Sequence, residues 1–407
     1  MNQLKLKNGW IATGSDLSEL SAELKELDDA FEIVEFKPEE GYKLVGYAVD
    51  QDPDGNEYLV SDVVDPLGGG GMDTYETEGI RAGVMKHWNE DLKEEAFKGG
   101  LFFSWPDPSS GDEVFAYADP ACLCSINFTG IGGEAMKFVK WPIVNAAMFL
   151  LKTKGCKLCI RKGMTPEGNI VRKVLTVRSL QYMDVRQYPM LELTEEICKN
   201  GELTFWSVDQ DFTEANFSFS NLGVEREIGG KKIVAIPKIR FYTSDSGRAS
   251  LAWKLGWTVN GRTVFLSPGK CEVIARHKGE WTNKKSSHIK NCVVKLFEKT
   301  EDLIKKIDEL DKIEIYYGEA QTVLTNLMED NEPFKRMVRK EIRDAIIEES
   351  LTRFTDPVHT AAELVLFLQE TADRINNLLP STMFQIREAC GEFFYMKIRK
   401  DAGLGNK

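Results

Sequence analysis

From Asp50 to Asn56 the chain reads Asp-Gln-Asp-Pro-Asp-Gly-Asn, with carboxylates at alternate places and a glycine where a calcium loop would turn. The acidic residue that would close such a cage at the twelfth position is missing, because Ser61 stands there and Asp62 follows. Strand-like runs flank the loop where helices should, and a hairpin turn uses the same Asp-Gly chemistry, so the segment reads as a turn. Cys122 and Cys124, followed by Cys156 and Cys159, supply two soft-ligand pairs that could hold a tetrahedral zinc. Their spacing is not a usual one and the first pair sits among apolar residues, so they read as small core hydrophobes.

Two glycine-rich stretches lack the partners a phosphate loop needs. Gly68–Gly71 is followed by Met72-Asp73 instead of Lys-Ser/Thr, and Gly130-Ile131-Gly132-Gly133 lacks the third glycine of a dinucleotide loop. His87, His277, His288 and His359 lie in unrelated surroundings, none beside a nucleophile in a recognisable elbow. Asp209 and Asp211 share a strand face and read as solvated edge carboxylates. These residues assemble no catalytic constellation, no metal site and no cofactor site.

The remaining chemistry is cationic. Residues 231–300 hold fifteen Lys/Arg against four Asp/Glu, a net of +11, and residues 136–190 hold eleven against two, a net of +9. Residues 1–120 hold nine against twenty-seven, a net of −18, so the whole-chain value of −12 hides the pattern. Clustered charge decides what a surface attracts, and a basic surface needs anionic partners. Rings are interleaved with these cations, in Arg240-Phe241-Tyr242 and in Trp253-Lys254-Leu255-Gly256-Trp257. Strand alternation sends Trp253 and Trp257 to one face and Lys254 to the other. Proteins that bind single strands combine a positive groove with rings on which bases stack. The nucleic-acid-binding candidates are Lys231, Lys232, Lys238, Arg240, Tyr242, Arg248, Lys254 and Arg262 in one block. Lys154, Lys157, Arg161, Lys162, Arg172 and Lys173 are those of the other.

The elements that would position them follow from pattern. Ser15 can cap a helix beginning at Asp16, whose Leu17, Leu20, Leu24 and Leu27 form one apolar stripe. Strands are expected at Lys43–Val49 and Glu57–Val64, and a polar helix over Thr74–Phe97. A helix near Glu134–Lys152 is expected to break at Pro142. Strands at Lys157–Lys162 and Val171–Arg178 precede a short helix at Gln187–Lys199 and further strands at Leu203–Val208 and Ala215–Ser220. Long strands around Ile233–Tyr242 and Ala249–Val259 end at Asn260-Gly261, a strong hairpin signal. From about Asn283 the pattern is helical, and Leu296, Leu303, Ile307, Leu310, Tyr317, Val323 and Leu327 form a stripe long enough to predict a homo-oligomer.

The fold class expected is α+β: an acidic mixed domain over 1–120, a basic, mostly antiparallel β-sheet core over 121–282, and a helical region over 283–407. No apolar run follows Met1, so no signal peptide is expected. Trp141–Leu151 is too short to span a bilayer, which needs roughly 20 residues. Eight dilute cysteines suggest reduced thiols in a cytoplasm.

One stretch, Val174-Leu175-Thr176-Val177-Arg178-Ser179-Leu180-Gln181-Tyr182-Met183-Asp184-Val185, is followed by Tyr242-Thr243-Ser244-Asp245-Ser246-Gly247-Arg248-Ala249-Ser250-Leu251 and by Ala275-Arg276-His277-Lys278-Gly279. That order, over about residues 130–290, resembles conserved phage and plasmid proteins of unknown function with Ser-x-x-Tyr, Asn-Ser-x-x-Gly and Arg-His-x-Gly motifs. Thr243-Ser244 replaces the Asn-Ser of that pattern, and Thr258-Val259-Asn260-Gly261 stands where a Cys-Asn-Gly turn is frequent. The element order is also similar to that of phage single-strand annealing proteins, an analogy of fold alone. The resemblance implies a phage-encoded protein of the host cytoplasm. The reading of the whole sequence is a non-catalytic protein that binds DNA, single-stranded by preference, in recombination or replication. Its rival is an assembly or protein-binding module, a virion component or inhibitor of a host factor, whose basic face docks an acidic partner.

Overall fold

A computed structural model describes residues 1–38, 44–51, 53, 57–61, 74–76, 85, 87–118, 122, 141–228, 231–246, 249–264, 271–275, 281–372 and 393–401. The strands are β1 (Ile11–Gly14), β2 (Phe31–Phe36), β3 (Val45–Gln51), β4 (Glu57–Ser61), β5 (Thr74–Glu76), β6 (Leu101–Pro106), β7 (Glu113–Ala118), β8 (Cys156–Met164) and β9 (Ile170–Arg178). They continue with β10 (Glu202–Asp209), β11 (Phe212–Ser218), β12 (Val224–Ile228), β13 (Lys231–Ser244), β14 (Leu251–Val259), β15 (Arg262–Val264), β16 (Glu272–Ala275), β17 (Glu314–Tyr316) and β18 (Val358–Thr360). The helices are α1 (Leu17–Asp29), α2 (Glu90–Gly99), α3 (Trp141–Lys154), α4 (Gln187–Ile197), α5 (Asn283–Leu296) and α6 (Thr300–Asp311). After them come α7 (Tyr317–Asp330), α8 (Glu332–Met337), α9 (Lys340–Arg353), α10 (Ala361–Ala372) and α11 (393–401).

The fold is α+β, built on two eight-stranded sheets. The first runs β2-β8-β9-β7-β6-β3-β4-β5, antiparallel except where β7 lies parallel to β9. The second runs β1-β10-β11-β13-β14-β15, with β12 and β16 pairing off that path, all antiparallel. Residue 120, where the composition turns from acidic to basic, falls within the span of the first sheet, since β2 to β7 join β8 and β9.

The first sheet is clothed on both faces. Leu101, Phe103 and Trp105 of β6 meet Ala147, Met148 and Leu151 of α3. Phe102 points the other way, to Leu92, Ala96 and Phe97 of α2. One face of the second sheet carries Trp206, Ala215, Phe217, Ile239, Phe241, Trp253, Leu255 and Trp257, packed on the apolar stripes of α1, α4, α5 and α6. Trp253 and Trp257 are thus core residues, and each indole donates to a buried threonine, Thr194 and Thr300.

Several expectations need correction. Asp16, not Ser15, caps α1: its carboxylate accepts from the Ser18 and Glu19 amides at 2.8 and 3.0 Å. The helix expected over Thr74–Phe97 is strand β5 at its start, and among the described residues it is helix from Glu90, capped by Asn89. Pro142 is the second residue of α3 as described; the earlier part of the helix expected from Glu134 lies outside the described residues. The long C-terminal stripe is divided among α5, α6 and α7, with β17 between the last two. Leu296, Leu303, Ile307, Leu310 and Leu327 are buried in the chain's own core, whereas Tyr317 is exposed and Val323 half-buried.

Candidate functional site

β13 is the longest strand and crosses the middle of the second sheet. Its even-numbered residues Lys232, Lys238, Arg240 and Tyr242 project away from the helices, as does Lys254 on β14. The register sets Arg240 opposite Lys254 and Lys238 opposite Gly256. Like charges directly opposite repel. Carboxylates on the flanking strands answer them: Glu214 of β11 binds Arg240 Nη2 at 2.9 Å, and Glu272 of β16 is the register partner of Lys254.

The candidates of this block therefore divide. Arg240 is buried with Glu214, and Tyr242 is buried against Phe212 with ring centroids 6.4 Å apart, so neither faces a ligand. Lys232 is exposed and pairs with Glu225 at 2.8 Å, while Lys238 and Lys254 are half-exposed. Lys231 and Arg262 lie on β13 and β15 with side chains outside the described residues, as is Arg248 entirely.

The other block is largely neutralised by the acidic stretch that precedes it. Lys157 and Lys162 on β8 meet Glu35 and Glu32 on neighbouring β2, each at 3.4 Å. Lys173 is buried, and its ammonium contacts Glu95 at 2.7 Å, the Leu6 carbonyl and the Asn8 side chain. Arg161 is buried completely. Arg172 is half-exposed on β9, and Lys154 is exposed at the end of α3. Arg161 and Lys173 were expected at a surface; the sequence does not show what covers them.

Arg161 belongs to a polar junction between the two sheets. Its guanidinium binds the Asp245 carboxylate and the Gln210 carbonyl, both at 2.8 Å, and donates to the Leu27 carbonyl. Asp245 also accepts from the Gln187 backbone and side chain at 3.0 and 2.8 Å. Burial pushes the Asp245 carboxyl above its ordinary range, and the Arg161 guanidinium opposes that rise. Asp211 accepts from the Ser246 amide at 2.8 Å and from the hydroxyls of Ser244 and Ser246. Asp209 accepts from the Asp211 and Phe212 amides, both at 2.8 Å. These aspartates are buried and hydrogen-bonded, not solvated at an edge as their pattern suggested. Arg178 Nε donates to the Ser246 carbonyl, and the Tyr182 hydroxyl to that of Asp245, each at 2.6 Å. The first two stretches quoted for the phage-protein resemblance thus meet in one network.

Other sequence motifs fall apart in space or lie outside view. Cys156 and Cys159 belong to separate apolar clusters, Cys122 is buried with the first, and Cys124 is outside the described residues. Burial pushes the Cys156 thiol up to about 12. Asp50 and Gln51 end β3, and Gln51 faces Glu57 in an antiparallel pair; most of the loop between them is outside the described residues, as are Gly68–Gly71 and Gly130–Gly133.

One cationic element was not singled out in the sequence. α5 carries Lys284, Lys285, Lys290 and Lys295 and no Asp or Glu. Ile289, Val293 and Leu296 turn inward, leaving Lys284, Ser287, His288, Asn291, Val294 and Lys295 exposed along one side. Lys285 stands over the half-buried Trp281 ring at 5.0 Å from its centroid. The absence of any acid across fourteen residues was the readable signal. No family model, curated protein or solved structure matches the chain.

Proposed function

We propose that the chain is a non-catalytic nucleic-acid-binding protein whose contact surface is the exposed side of α5. The observation that carries the reading is the acid-free helix. Lys284 and Lys285 occupy its first turn, where the helix dipole disfavours cations, so these charges do not serve the helix itself. Lys290 alone among its four lysines has a carboxylate partner, Glu196, among the described residues. The half-buried Trp281 ring beside Lys285 supports single-stranded DNA over duplex, because unpaired bases stack on aromatic rings. The setting, phage-type recombination or replication in a host cytoplasm, rests on the sequence resemblance alone.

The test is affinity for single-stranded DNA, double-stranded DNA and RNA at two salt concentrations. Replacing Lys284, Lys285 and Lys295 with Gln should flatten the log–log salt slope for single-stranded DNA by up to about two units, at roughly 0.7 per phosphate contact. Absence of retention of any nucleic acid at low salt overturns the reading. A second reading, an assembly module docking an acidic protein, is favoured by one observation. The basic residues of β8 and β9 already take carboxylates, those of Glu32, Glu35 and Glu95. Retention of polyglutamate but not of DNA would select it.

A further inference from the structure

α5 also carries the least buried of the described cysteines. Cys122, Cys156, Cys159, Cys198 and Cys271 are buried, whereas Cys292 is partly exposed. One turn earlier on the same side is His288, whose Nε2 lies 3.5 Å from Cys292 Sγ. A thiol becomes a nucleophile by losing its proton, and a ring nitrogen within hydrogen-bond reach can take it. Lys284 precedes His288 by one turn, Lys295 follows Cys292 by three residues, and both are exposed. With no carboxylate on the helix, this side attracts small anions to the thiol.

We propose that Cys292 is a thiol–disulfide exchange site for small anionic disulfides of the glutathione-disulfide class, with His288 as its general base. In the tautomer that carries its proton on Nδ1, His288 takes the Cys292 proton at Nε2 as Sγ attacks one sulfur of the reagent. An Sγ–S bond forms, the S–S bond of the reagent breaks, and its second half leaves as a thiolate that recovers the proton from the His288 imidazolium. The disulfide is the only oxidant, and the step ends in a mixed disulfide plus one released thiol. A glutathionyl adduct would set carboxylates among the lysines of α5. Its effect on DNA rests on the function proposed above; the exchange itself does not.

The experiment uses the full chain and the dianionic reagent dithiobis(nitrobenzoate), whose released thiolate is coloured. At pH 7 one thiol per chain should react in a fast phase that Cys292→Ser abolishes. His288→Gln should slow that phase by about tenfold or more, the lower range of what a positioned base supplies. At pH 10, where an ordinary thiol of pKa about 8.5 is ionised without help, the variant and the parent should react alike. Lys284→Gln with Lys295→Gln should slow the parent reaction about threefold at low salt and leave it unchanged at 1 M salt, where screening reaches about 3 Å. A fast phase that survives Cys292→Ser overturns the assignment. So does a His288→Gln variant that reacts at the parent rate at pH 7, or one that stays slow at pH 10. If the rates behave as expected but a glutathione adduct leaves DNA affinity unchanged, the exchange site stands and the α5 contact surface falls.

Discussion

Arg161 shows what a single buried charge demands. It is fully enclosed, and every direction its guanidinium points is met by Asp245 or by a carbonyl. The pair joins residues 84 positions apart, one on β8 and one just past the end of β13. Removing one partner of a buried ion pair leaves an uncompensated charge, at a cost of about 3–5 kcal/mol. Arg161→Met should therefore lower the unfolding free energy by that amount in urea titrations. Adding Asp245→Leu to the same chain should restore part of it, because the second charge no longer needs a partner. A double variant less stable than Arg161→Met would mean that Gln187 needs the Asp245 carboxylate more than the charge balance does. This residue-scale arrangement was illegible in the sequence. Arg161, Arg240 and Lys173 read as surface cations, because nothing local announces a carboxylate that arrives from elsewhere in the chain. Asp211 and Asp245 were misjudged or overlooked for the same reason, since their donors are amides and hydroxyls brought in by tertiary folding.

Elements were readable where local chemistry decides them. Asn260-Gly261 predicted the hairpin that joins β14 to β15, and both residues adopt the left-handed region, with φ of 48° and 81°. Asn260 adds a reason of its own, accepting from the Val234 amide at 2.8 Å. Gly261→Ala forces a Cβ into that region and should cost about 1–2 kcal/mol. The open space around the Gly261 Cβ position leaves backbone strain as the only cause. Thermal denaturation reads the loss, and a change under about 0.3 kcal/mol would show that the turn can shift its geometry. Elements whose pairing is remote were missed. β1 has four residues and gains its partner β10 only when Ile11 meets Asp209. The break between α5 and α6 was hidden because the apolar phase carries across the 3-10 turn at Phe297–Lys299.

At the scale of the whole molecule, the segregation of charge along the chain is partly undone by folding. The acidic stretch supplies Asp28, Glu32, Glu35 and Glu95 to Arg186, Lys162, Lys157 and Lys173. The same stretch supplies β2 to β7 of the first sheet and β1 of the second. Its removal cannot then unmask an intact basic core: a chain lacking residues 1–120 should lose cooperative unfolding altogether, as judged by circular dichroism on heating. A gentler change tests whether this acidity also competes with nucleic acid. Glu32 and Glu35 each meet their lysine at 3.4 Å on an edge strand, in partly exposed pairs. Pairs of this kind contribute about 0–1 kcal/mol, so Glu32→Gln with Glu35→Gln should leave the melting curve almost unmoved. The same substitutions release Lys157 and Lys162 from these carboxylates and remove two negative charges from the β2 edge. If anions compete there, affinity for single-stranded DNA should rise at low salt and the salt slope should steepen by up to about 1.4 units, two contacts at roughly 0.7 each. An unchanged slope in the folded variant would confine nucleic-acid contact to α5, and would leave the acidic stretch the purely structural task of closing the first sheet.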